Sequence, residues 1–251
     1  MWVQSAITGL LAGTFGGLIG IGGGVIMIPL MVGWLHLTQH KAHGTSLVAV
    51  VFTGLIGAAS YALQGSVDLL AAVVLAATAM FTARAGARFA NVIPEWKLKR
   101  AFGWFLLFMC IMLLLKPYIG HGSTGSWTAI PILIVAGALT GFLSGMMGVG
   151  GGTIMVPAMV LGVGLDQHLA QGTSLLAMVP ASAVGAYTHR SLGNLVNKLL
   201  PGLVAGVIVG SYLGSTFAHL LPAPTLRILF VLVMAYNAQR YVRARAPQAA
   251  A

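Results

Sequence analysis

A gapless internal duplication limits what this chain can fold into more than any other feature. Shifted by 128 residues, GTFGGLIGIGGGVIMIP (Gly13 to Pro29) falls on GFLSGMMGVGGGTIMVP (Gly141 to Pro157), with Gly17 on Gly145, Gly20 on Gly148, three consecutive glycines on three, and Pro29 on Pro157. The register continues unbroken. QHKAHGTSL from Gln39 falls on QHLAQGTSL from Gln167, Gly65 on Gly193, Gly86 on Gly214 and Pro94 on Pro222. Self-similarity of this kind means two copies of one structural unit. The units are assigned to residues 1–120 and 121–251. Each reads as one long glycine-broken segment, near residues 3–37 and 128–165, followed by three ordinary spans.

Composition says what solvent these units face. Of the residues, 58% are hydrophobic and 6% charged, and mean hydropathy is +0.95, whereas a soluble domain carries roughly 25% charged residues. Runs such as Ser46 to Leu63, Leu69 to Met80, Ala101 to Leu115, Leu199 to Leu221 and Leu226 to Tyr236 suit a crossing of ~30 Å of hydrocarbon. The expected class is therefore an all-α polytopic membrane protein whose two repeats form one transmembrane domain. The lone Cys110 excludes an internal disulfide and suggests no metal cluster. MWVQSAITGLLAG lacks the basic stretch of a cleaved signal and is read as the first membrane segment.

Lysine and arginine decide how the repeats are oriented. If each glycine-broken segment crosses once, the basic residues divide 6 against 7 and carry no signal. If each returns to its starting side, Lys41, Arg84, Arg88, Lys97, Lys99, Arg100, Arg190, Lys198, Arg240, Arg243 and Arg245 share one side. Only Lys116 and Arg227 remain on the other. That bias of 11 to 2 is what the positive-inside rule expects. The segments are thus predicted to be helical hairpins bent at GIGGG and GVGGG, giving inverted-topology repeats with both termini cytoplasmic. About 35 residues of helix would span ~52 Å, too long for one crossing.

Chemistry is expected where the backbone breaks, because unpaired amides at membrane depth are tolerated only inside protein or along a wet cavity. Gly22, Gly23, Gly24, Gly150, Gly151 and Gly152 lead into fresh helix starts near Val25 and Thr153. Such ends carry free N–H groups and about half a positive charge. Brought together by a pseudo-two-fold axis, two of them would make an anion site, with Thr45, Ser46, Thr173 and Ser174 of the paired GTS motifs adding hydroxyls. Two plainer roles compete. Glycines four apart, such as Gly13 with Gly17 and Gly137 with Gly141, are helix-packing faces, and Thr or Ser at a helix start is often only a cap.

The charge inventory favours an anion. Asp68, Glu95 and Asp166 are the only acids and fall in loops or at segment ends, so no buried carboxylate serves sodium or a proton relay. His40, His43, His168 and His189 are read first as interfacial residues. Lys41, His43, His189 and Arg190 are candidates for gating or for gathering anions. Trp34, Trp96, Trp127, Tyr61 and Tyr118 lie at segment ends, as membrane-belt residues do.

GGLIGIGGGVIMIP with HGTS, repeated as GMMGVGGGTIMVP with QGTS, resembles the sulfite exporter TauE/SafE family over essentially the whole chain. The resemblance implies a secondary transporter of a bacterial inner membrane that moves sulfite, sulfonates or related small anions, commonly outward. The expected partners are the bilayer and a small anionic substrate, with no cofactor, metal or nucleic acid. An anion channel using the same helix ends and a non-transport assembly protein are the rival readings. An enzyme is not expected. Ser144, the one candidate nucleophile, has no base at a suitable spacing and duplicates Gly16.

Overall fold

Both glycine runs stop a helix and start another. In the computed structural model, which describes residues 2–89, 95–115 and 126–243, α1 (Trp2–Ile19) ends before Gly20 and α2 (Gly24–Gly33) begins after Gly23. Gly20, Gly22 and Gly23 hold φ of 75°, 90° and 78°, a region that side chains with a Cβ rarely enter. The chain turns back on itself there. A Cβ on Gly23 would run into the carbonyl of Ala12, although in a continuous helix those residues would stand about 16 Å apart. The second break repeats the first: α6 (Ser126–Met147) ends before Gly148, and α7 (Gly152–Pro157) passes into a π-helical turn, Ala158–Val163. α2 has 10 residues, about 15 Å, so it reaches only halfway through a bilayer core.

The remaining elements recur at the same offset. α3 (Gln39–Ala62), α4 (Leu69–Phe89) and α5 (Glu95–Leu115) correspond to α8 (Gln167–Ser191), a 3₁₀ turn (Asn197–Leu199) with α9 (Leu200–Ala218), and α10 (Ala223–Val242). Even an irregularity is duplicated. His36, the non-glycine residue with positive φ among the described residues, at 53°, stands where the second half has Gly164 at 86°.

The largest packings join one half to the other: α1 with α9, α4 with α6, α3 with α8, α4 with α8, and α5 with α10. Small residues make the first two possible. Gly9, Gly13 and Gly17 lie against Leu203, Val207 and Ser211 of α9, while Gly137, Gly141 and Gly145 lie against Leu75, Ala79 and Ala83 of α4. Numbers rise together on both members of each pair, so these helices run parallel, and the glycines pack as their four-residue spacing predicts. The α3 and α8 pair runs the other way: Leu47 meets Gly185, Gly54 meets Leu175, and Tyr61 meets Gly172. α3 and its duplicate α8 therefore run antiparallel to one another.

Among the described residues, α1, α3, α4, α8, α9 with its 3₁₀ turn, and residues 129–147 of α6 are long and apolar enough to cross a membrane. Their outer faces are apolar, with Phe81 and Leu63 strongly exposed, as lipid contact requires. α5 and α10 are not among the six. The apolar part of α5 is Gly103–Leu115, and α10 carries Arg227, Asn237 and Arg240. Tyr61 departs from its expected place in the membrane belt: it is fully buried, its hydroxyl donating to Gln171 Oε1 at 2.9 Å. Trp34 is exposed at the end of α2. Tyr118, Lys116 and Arg245, and the side chains of Trp127, Glu95, Lys97 and Lys99, lie outside the described residues.

Candidate functional site

The two breaks meet face to face in the interior. A Cβ on Gly24 would strike Gly148 O and approach Val149 O to 2.7 Å. One on Gly152 would strike Gly20 O and approach Ile21 Cα to 2.7 Å. Gly20 to Gly24 and Gly148 to Gly152 are all buried. Neither helix start has a side-chain cap. Close backbone packing thus accounts for the glycines at these positions, and it holds the two helix starts within one small volume.

The GTS motifs do not begin their helices. α3 and α8 start five residues earlier, at Gln39 and Gln167, because Asp166 caps α8 by accepting from His168 N and Leu169 N at 2.7 and 3.1 Å, and Thr38 occupies the same place before α3. Each motif instead clasps the opposite half. Ser46 Oγ lies 2.9 Å from Gly148 O and Ser174 Oγ 2.8 Å from Gly20 O, each also reaching a carbonyl of its own helix at 2.8 Å. Thr45 accepts from Val196 N at 3.2 Å, and Thr173 accepts from Asp68 N at 2.9 Å. Gly44 and Gly172 admit the carbonyls of Asn194 and Ser66. All three residues of both motifs are therefore in use between halves. Ser46→Ala or Ser174→Ala strips a donor from a buried carbonyl and is expected to cost about 1–3 kcal/mol, read as a lower melting temperature of the detergent-solubilised protein.

Basic residues gather at one end. Gly44 near the start of α3 touches Asn194 and His189, which brings exposed Lys41 and Arg190 to the same end. Arg100 Nε donates to Val242 O, joining the start of α5 to the end of α10. Here a pocket of ≈ 200 Å³ opens between α2, α3, α6 and α10, lined by Ile28, Pro29, Gln39, His43, Met147, Asn237, Arg240 and Tyr241. Met147 immediately precedes the second break, so the pocket leads to it. The pocket holds a guanidinium, two side-chain amides, an imidazole and a phenol, a donor set suited to an oxyanion. The larger cavity, ≈ 560 Å³ between α5, α6 and the π turn, is lined by residues such as Phe105, Met109, Ile132 and Leu161 and offers an anion nothing.

Of the sequence candidates, His43 is buried and lines the pocket. His189 is fully buried, with Nε2 2.9 Å from Gly145 O, so neither histidine is interfacial. Thr153 is buried at the start of α7. Lys41 and Arg190 lie near this end without lining the pocket. Sequence reasoning treated Arg240 only as an orientation charge and missed Asn237 and Gln39. One signal was available: Asn237 and Arg240 are three apart on one helix face, and their duplicates are Met109 and Met112.

A family model described as "Sulfite exporter TauE/SafE" matches residues 5–241. The chain is 28% identical to a probable membrane transporter protein of Bacillus subtilis, YunE, over 77% of this chain and 80% of that protein. It is 26% identical to another, YdhB, over 90% and 94%, and 25% identical to a probable membrane transporter protein of Haemophilus influenzae over 92% and 95%. No solved structure matches. These are names of membrane transporters, not of enzymes.

Proposed function

The chain belongs to the TauE/SafE sulfite exporter family, and on that premise we propose that it is a secondary transporter of small oxyanions, sulfite or an organosulfonate, working by alternating access in a bacterial inner membrane. The observation that carries this reading is the polar pocket at the basic end, where Arg240, Asn237, Gln39 and His43 surround a space that leads to the second helix break. A guanidinium binds an oxyanion through parallel N–H donors, and the neutral donors replace part of its hydration shell. Gly22 to Gly24 and Gly150 to Thr153, with Thr45, Ser46, Thr173 and Ser174 around them, form the closed middle of the path. Helix-start amides there take up the anion when the halves part.

The antiparallel course of α3 and α8 supports inverted-topology repeats, with the basic end and both termini cytoplasmic. Cysteines placed at Lys41 and Arg190 are expected to react with an impermeant thiol reagent from one face only, and a cysteine at Asp68 from the other. Lys41, exposed near the pocket, gathers anions. Lys41→Ala is expected to lower flux most at low ionic strength, with the deficit fading above ~0.1 M salt as the Debye length falls below about 10 Å.

Radiolabelled sulfite flux in proteoliposomes tests the reading. A carrier gives saturable uptake and counterflow driven by unlabelled sulfite on the far side. Flux that rises without saturation and shows no counterflow belongs to a channel and would reject alternating access. No flux of sulfite or of a small sulfonate would reject transport of this class.

A further inference from the structure

Resting on the transport reading, the repeat symmetry assigns a second half to the pathway, closed in this conformation. Gln39 and His43 line the open pocket, and their duplicates are Gln167 and Gln171. Both duplicates are 0% exposed. Neither amide atom of Gln167 has a hydrogen-bond partner, and Gln171 Nε2 has none, while Gln171 Oε1 accepts from Tyr61. Three duplicates of the other lining residues, Ile19, Leu113 and Val156, are buried as well, where Met147, Tyr241 and Ile28 border the open pocket, while Met109 and Pro157 border the apolar cavity of ≈ 560 Å³.

An unpaired buried amide costs about 1–3 kcal/mol per group, and native proteins keep few of them. Two glutamines one turn apart on the same face of α8 present three such atoms. We propose that Gln167 and Gln171 are the far-side counterpart of the pocket at Gln39 and His43, wetted and available to the same small oxyanion when the two halves exchange conformations. Gln171 is placed for this. It packs on Gly20, whose Cβ position lies 2.7 Å from Gln171 Cβ, so the first break has beside it an amide as the second break has His43. The two sites are unequal. Met109 and Met112 stand where the open pocket has Asn237 and Arg240, so at the duplicated positions the far side has no guanidinium and no third amide. It holds the anion more weakly and lets it go more readily, as the exit of an exporter should.

The test pairs accessibility with stability. In a Cys110→Ala background, Gln39→Cys and Gln167→Cys are compared in right-side-out and inside-out membrane vesicles with an impermeant methanethiosulfonate. The expected result is modification from opposite faces, with either reaction blocking radiolabelled sulfite flux. Gln167→Leu supplies the second readout. Because both amide atoms lack partners, leucine is expected to leave the melting temperature unchanged or higher while cutting sulfite flux at least tenfold. Gln167→Cys inert from both faces, Gln167→Leu with wild-type flux, or Gln167→Leu with a lowered melting temperature would each overturn the assignment. Absent flux in the wild type would overturn the transport reading instead, with the accessibility and melting results still reporting on the buried amides.

Discussion

Valine at Gly24 or Gly152 is expected to leave almost no folded, transporting protein. The added side chain at either position meets backbone rather than a movable side chain: Gly148 O and Val149 O in one case, Gly20 O and Ile21 Cα in the other. Backbone atoms in two interlocked breaks can yield only if the halves separate, and separation strips Ser46 and Ser174 of their acceptors across the interface. Overpacking alone typically costs about 1–3 kcal/mol. With the serine clasps strained as well, a loss above ~3 kcal/mol is expected, a large part of the roughly 5–15 kcal/mol that holds a typical domain folded. The measurement is the recovery of monodisperse protein after solubilisation, together with its melting temperature. Gly33→Ala is the control, because nothing lies within 4 Å of its added Cβ. It is expected to be neutral or to gain up to about 1 kcal/mol in helix propensity. A Gly152→Val protein that melts with the wild type would mean the breaks do not touch.

Arg240→Ala is expected to raise the half-saturating concentration of sulfite ten- to a hundredfold without lowering the melting temperature. Arg240 is exposed at the mouth of the pocket, so removing its side chain leaves no buried partner uncompensated. It does remove the one cation among the described residues that line the pocket. A hydrogen bond to a charged group contributes about 1.5–3 kcal/mol, and about 1.4 kcal/mol is a factor of ten in affinity. Arg240→Lys is expected to recover only part of the loss, because an ammonium keeps the charge but not the planar fork that grips two oxygens at once. Salt sorts this effect from that of Lys41. The Arg240 deficit persists at high ionic strength because the contact is direct, whereas steering by Lys41 is screened away. Equal half-saturation in Arg240→Ala and wild type would move the entry site off this pocket.

Much of the architecture is local in origin and so legible in the sequence. Hydropathy marked α3, α4 and α9 among the membrane-length helices but also α5 and α10, which are not among them, the 128-residue register pointed to two equivalent halves, and GIGGG and GVGGG marked where helices stop, since runs of glycine tolerate the positive φ found at Gly20, Gly22 and Gly148. Four-residue glycine spacing identified the packing faces of α1 and α6, because i and i+4 share a helix face. Tertiary structure alone decided what those features meet. Thr45, Ser46, Thr173 and Ser174 read as hydroxyls near a helix start, yet each is engaged with a backbone atom of the other half more than 100 positions away. Tyr61 reads as a belt residue from its place near a segment end, and its burial depends on α8 covering that end of α3. Arg240 reads as an orientation charge, and only the convergence of α2, α3, α6 and α10 makes it the cation of a pocket. Periodicity and composition report on neighbours within a turn or two of helix. Contacts between repeats depend on how two copies are apposed, and glycine spacing within one copy marks a packing face without naming the helix that meets it.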